Sequence, residues 1–130
     1  VHIEVSPQLS VSEGHRISDE VSKQLTETFP DISQVLVHVD PENDEVNSSC
    51  VNLPLREELL ADLKQHWSAI EHSRFIEEVT LHYLGGKVSV QIILPLSLLK
   101  SLEQTQQLSA QFEAAVSHIA CIENIEILYR

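Results

Sequence analysis

The chain has 130 residues, with 20 acidic against 8 basic side chains and a formal net charge of -12 at pH 7. Phosphate backbones and anionic membrane surfaces are gripped through lysine and arginine faces, so this balance argues against nucleic acid as a partner and leaves a cation as the natural small one. With 42% apolar and 22% charged residues the composition is that of a folded globular domain, long enough to bury a core without help from a disulfide or metal.

In chain order, residues 1–5 (Val-His-Ile-Glu-Val) alternate apolar and polar as a strand does. A chain that opens on a strand and without Met reads as a piece of something larger. Residues 10–29 are expected to be a helix, started by the capping pair Ser10 and Glu13, with Val11, Gly14, Ile17, Val21 and Leu25 on its apolar face. Pro30 stops simple continuation. Residues 35–40 are a β-branched run that predicts a second strand. Residues 43–53 are polar and rich in Asn and Ser, and are read as a linker that contains Cys50.

A second unit, residues 54–130, follows. Leu55, Leu59, Leu63, Trp67 and Ile70 mark an amphipathic helix. Residues 79–84 and 87–94 are expected to form a hairpin closed by Gly85-Gly86. Ser101 with Gln104 repeats the capping signal, and Leu108, Phe112, Ala115, Val116 and Ile119 give the next helix a buried face. Residues 122–129 make a last strand. Cys121 precedes it, and neither cysteine belongs to a C-x-x-C pair. No apolar run approaches the roughly 20 residues that cross a bilayer.

The order strand, helix, strand occurs twice, in residues 1–40 and again in 90–130, the second time with a leading helix and a hairpin strand in front. The expected fold class is α+β: two tandem βαβ-type units, each an open-faced sandwich of the ferredoxin-like or metallochaperone-like kind. The first unit, 1–42, lacks the extra helix and strand. Its sheet edge needs cover from elsewhere.

Seven histidines draw attention. In a strand, residues two apart share a face. His2 and Glu4 therefore point one way and Val1, Ile3 and Val5 the other. In the second strand His38 and Asp40 oppose Val35, Val37 and Val39. The two strands flank one helix, so His2, His38 and Asp40 can converge on the face away from it. His15 sits at the edge of the helix stripe with Asp19 one turn later. Imidazole with carboxylate is a donor set for zinc and other first-row divalent ions, the ring nitrogens giving directional lone pairs and the carboxylate offsetting charge. His66, His72, His82 and His118 read as scattered, without carboxylate partners at ligand spacing.

Taken together, residues 1–5, the helix segment 13–21 (Glu-Gly-His-Arg-Ile-Ser-Asp-Glu-Val), its end at Phe29-Pro30, and residues 35–41 (Val-Leu-Val-His-Val-Asp-Pro) resemble the C-terminal cytoplasmic domain of cation diffusion facilitators. The resemblance implies a metallochaperone-like fold and a V-shaped homodimer beneath a transmembrane domain of the same protein, on the cytoplasmic side of the membrane. It also implies a site for Zn2+ or another divalent transition metal. His2, His15, His38 and Asp40 fall on the family's four ligand positions. The second unit, aligned to the first, holds Gln91, Gln106 or Gln107, Leu128 and Arg130 at those positions, and is expected to be a degenerate copy without a site. The function so implied is a regulatory metal-binding and dimerisation domain of a divalent cation exporter. A competing reading is a small-molecule-sensing ferredoxin-like regulatory domain. An enzyme is not expected, since no nucleophile elbow, P-loop or H-E-x-x-H motif is present.

Overall fold

The computed structural model describes residues 1–43, 46–99 and 101–130. The fold is α+β, and the chain divides into two compact units, Val1–Ser48 and Ser49–Arg130. The strands of the two units lie in two separate sheets.

In the first unit, strand β1 (His2–Glu4) leads to helix α1 (Val11–Thr28) and returns in strand β2 (His38–Asp40). Ser10 is the helix N-cap, its hydroxyl accepting from the Glu13 amide at 3.2 Å. β1 and β2 pair in parallel, His2 opposite His38 and Glu4 opposite Asp40. The expected six-residue second strand is cut to three because β1 offers only three paired positions; the Val35 carbonyl instead takes the Ser22 hydroxyl. The expected helix face is also thinner than its periodicity suggests. Gly14 is its only buried residue, Ile17, Val21 and Leu25 are half-buried, and Val11, expected inside, is 92% exposed. Val11 is the first helical residue, where the chain turns out of the loop and no strand lies over it. Gly14 is close-packed: a Cβ there would stand 3.6 Å from Val39 Cγ1.

The second unit runs through helix α2 (Arg56–Trp67), a short 3-10 turn at Glu71–Phe75, strands β3 (Glu78–Leu84) and β4 (Lys87–Leu94), helix α3 (Leu102–Val116) and strand β5 (Ile122–Tyr129). The sheet order is β3-β4-β5, with β3 antiparallel and β5 parallel to the central strand. Gly85 and Gly86 take φ of 58° and 75°, the doubly positive turn that matches hairpin twist and that only glycine adopts freely. Val88, Val90, Ile92 and Leu94 of β4 are all buried, meeting Leu59, Leu63 and Trp67 of α2 and Leu108, Phe112 and Val116 of α3. Both helices therefore cover one face of the sheet. The Trp67 and Phe112 rings meet edge to face at 5.2 Å, and the Trp67 indole N–H donates to the Phe112 carbonyl at 3.3 Å.

Two expectations shift here. Helix α2 ends at Trp67, so Ile70 reaches the core from the following turn. Of the stretch read as linker, Asp44 and Glu45 lie outside the described residues, while Leu53 packs onto the second core.

Candidate metal centre

The alternation of β1 and β2 decides where the donors go. Val5, Val37 and Val39 turn towards α1 and line a groove with Gly14 and His15. His2, His38 and Asp40 occupy the opposite face. The parallel register sets His2 beside His38, with ring centroids 4.8 Å apart and tilted by 45°. Asp40, one pleat on, lies between them. His2 Nδ1 donates to Asp40 Oδ2 at 2.9 Å, and His38 Nδ1 pairs with Asp40 Oδ1. One ligand atom from each of the three lies within 4.8 Å of the others. Asp40 is only 7% exposed, whereas both imidazoles are open to solvent.

The electrostatics follow from that packing. The hydrogen bond from His2 is the main reason the Asp40 carboxyl sits below the usual carboxylate range. Desolvation works against it, and the nearby charge of His38 adds to it. Both imidazoles meet Asp40 through Nδ1, so for all three to ligate one ion those hydrogen bonds must be exchanged for bonds to the metal. The carboxylate oxygens are themselves donors within the same cluster. Zinc bonds of about 2.0–2.2 Å to nitrogen and oxygen set donor atoms roughly 3.3 Å apart, so these three, within 4.8 Å of one another, must draw closer to hold one ion.

His15 is not part of this group. It stands on the helix side of the sheet, exposed, with Nε2 3.6 Å from Asp19 Oδ2 one turn along. The expectation that all four donors belong together thus divides: three meet within one chain, and His15 faces the other way.

In the second unit, aligning the sequences put Leu128 and Arg130 at the places of His38 and Asp40. The strand register gives different equivalents. Gln91 sits opposite Glu126, as His2 sits opposite His38, and Gln91 Nε2 donates to Glu126 Oε2 at 2.8 Å. Arg130 is engaged elsewhere, by Glu77 at 3.0 Å and Glu78 at 3.6 Å. Among the described residues this face carries no histidine pair. The expectation that the remaining histidines are scattered is overturned for two of them: His66 and His118 touch through Nε2 at 2.9 Å, and His66 Nδ1 lies 3.3 Å from the Asp62 carboxylate. The sequence marks each of them as lying beside a core residue, though not that they meet. His66 follows Asp62 by one helical turn and adjoins the core residue Trp67, and His118 comes two residues after the core residue Val116.

Residues 1–42 match the family model described as the cation efflux protein cytoplasmic domain. The resemblance read from the sequence therefore holds for the segment that carries His2, His15, His38 and Asp40. Over a longer span the chain is similar to Metal tolerance protein C1 of Arabidopsis thaliana, with 26% identity over 116 residues, covering 79% of this chain. The chain spans about a quarter (24%) of that relative's length. No solved structure matches. No helix among the described residues is long and apolar enough to cross a membrane.

Proposed function

We propose that this chain is the regulatory part of a divalent cation exporter, a cytoplasmic metal-binding and dimerising domain on the cytoplasmic side of the membrane, attached to a transmembrane domain of the same protein. The observation that carries this reading is the His2–His38–Asp40 cluster on the exposed face of the first sheet, inside the segment that matches the cation efflux family. The donors are two imidazoles and one carboxylate, which select Zn2+ or a similar transition ion over calcium or magnesium.

Three donors leave a fourth position open. His15 cannot fill it from within the chain, because it lies across the sheet. A second copy can. In a homodimer with His15 of one protomer meeting the cluster of its partner, the ion bridges the two chains and neutralises part of their repulsion. Metal binding and dimer geometry are then linked, and the ion shifts the population towards the closed dimer by as much as it binds that form more tightly.

Calorimetry with Zn2+ on the wild type and on His38→Ala tests the site. The variant should bind at least tenfold more weakly; equal affinity removes His38 from it. Scattering with and without Zn2+ tests the linkage. A dimer that forms or compacts with metal is expected, and an unchanged monomer at every zinc concentration contradicts it.

A further inference from the structure

The contact between His66 and His118 has the form of a second metal site, in a part of the chain that the family match does not reach. His66 lies in the last turn of α2, and its Nδ1 donates to the Asp62 carbonyl at 2.8 Å, with the Asp62 carboxylate 3.3 Å away. That bond fixes the tautomer: Nδ1 keeps the proton, and Nε2 presents a lone pair. His118 follows the C-terminal cap of α3, Ser117, and brings its own Nε2 to 2.9 Å from that lone pair. The rings stand 4.5 Å apart and are tilted by 54°, so the two nitrogens face each other without stacking. In the ion-free chain one proton lies between them.

We infer that His66 and His118 bind a divalent transition-metal ion through their Nε2 atoms, the proton between them moving to Nδ1 of His118, and that the ion ties the C-terminal ends of α2 and α3 together. Two nitrogens on a tetrahedral ion with bonds of about 2.0–2.1 Å stand roughly 3.3 Å apart, so the rings need part by only a few tenths of an ångström. The remaining positions open onto a cleft beside His66, whose wall includes Glu71, His72 and Gln111, while Ala69, Ala114 and Ala115 leave room for water. The donor set is nitrogen-rich, which favours Zn2+, Cu2+ or Ni2+ and disfavours calcium and magnesium. His66 adjoins Trp67 in sequence, and Trp67 is the residue through which α2 meets Phe112 of α3. Binding there stabilises the folded second unit by mass action.

The test uses the full 130-residue chain carrying His2→Ala and His38→Ala, so that the first site is disabled whatever its role. Zn2+ alone is the probe. Calorimetry should give one ion per chain, and the ring-proton resonances of His66 and His118 should shift together. Adding His118→Gln or His66→Gln should weaken binding at least tenfold and abolish the zinc-dependent rise in melting temperature. His118 is exposed and beyond the helix, so its substitution leaves the fold intact, which circular dichroism checks. If the disabled chain takes up no Zn2+, or takes it up equally well without His66 and His118, the pair is a hydrogen bond only and the inference is overturned.

Discussion

The first and second units share a strand–helix–strand crossover and differ in what they bury. Every buried apolar side chain among the described residues belongs to the second unit, packed between β4, β5 and the helices α2 and α3. In the first, Gly14 and Asp40 are the buried residues, one a gap filled by its neighbour and the other a carboxylate. A two-stranded sheet needs a packed helix to be stable on its own, and α1 covers this one with half-buried apolar side chains only. The first unit's order therefore depends on what meets its polar face and its open edges, whereas the second holds itself together. A regulatory element needs that asymmetry: low-stability parts respond to ligands, and rigid parts transmit the response.

The largest expected difference is in core truncation. Phe112→Ala should cost about 3–5 kcal/mol and shift the denaturation transition seen by Trp67 fluorescence. Trp67 is the chain's one tryptophan, so that signal reports the second unit. Ile17→Ala, at a half-buried site in α1, should leave the same transition in place. If both variants move it equally, the units fold as one and the comparison fails.

Next in size is the effect of metal on local order. Hydrogen exchange in the presence of chelator should show the amides of α1 and β2 poorly protected and those of β4 strongly protected. Adding Zn2+ should slow exchange in the first unit by tenfold or more. Because imidazoles must be neutral to ligate, the protection should fade as the pH is lowered.

A smaller acid-side effect concerns Asp40 without metal. Its folded pKa is depressed, chiefly by the hydrogen bond from His2, so the stability it lends the first unit is present above the ordinary carboxylate value. That stability is lost as the pH falls through the lower folded value. Asp40→Asn should flatten this dependence in an acid titration of first-unit amides and leave Trp67 fluorescence unaffected. Smallest of all is Tyr129→Phe. The Tyr129 hydroxyl is buried without a hydrogen-bond partner among the described residues, so its removal should be neutral or stabilise the second unit by up to about 1 kcal/mol in urea denaturation.

Local signals in the sequence carried most of the fold. The serine caps at Ser10 and Ser101 and the Gly85-Gly86 hairpin are short-range devices, and each acts where its motif stands. Strand alternation was enough to bring His2, His38 and Asp40 to one face, because a parallel pair around a single helix leaves little choice of register. The same periodicity could not tell that α1 covers only two short strands, so Val11 was expected inside. Nor could it bring His66 to His118, because that contact depends on where two helices end when packed on a common sheet. The placement of His15 on the helix side follows from the helix's rotation over the strands, which its position at the edge of the stripe left open.

In the proposed dimer a metal held by His2, His38 and Asp40 of one chain is completed by His15 of another. Mixing complementary variants tests it most directly. His15→Ala and His38→Ala should each bind Zn2+ at least tenfold more weakly than the wild type. In a symmetric dimer their 1:1 mixture forms heterodimers in which one site is whole and the other doubly broken. With random pairing, about a quarter of the wild-type tight sites should return in calorimetry of the mixture. Wild-type affinity in His15→Ala alone, or a mixture that binds no better than its two components, would contradict the account.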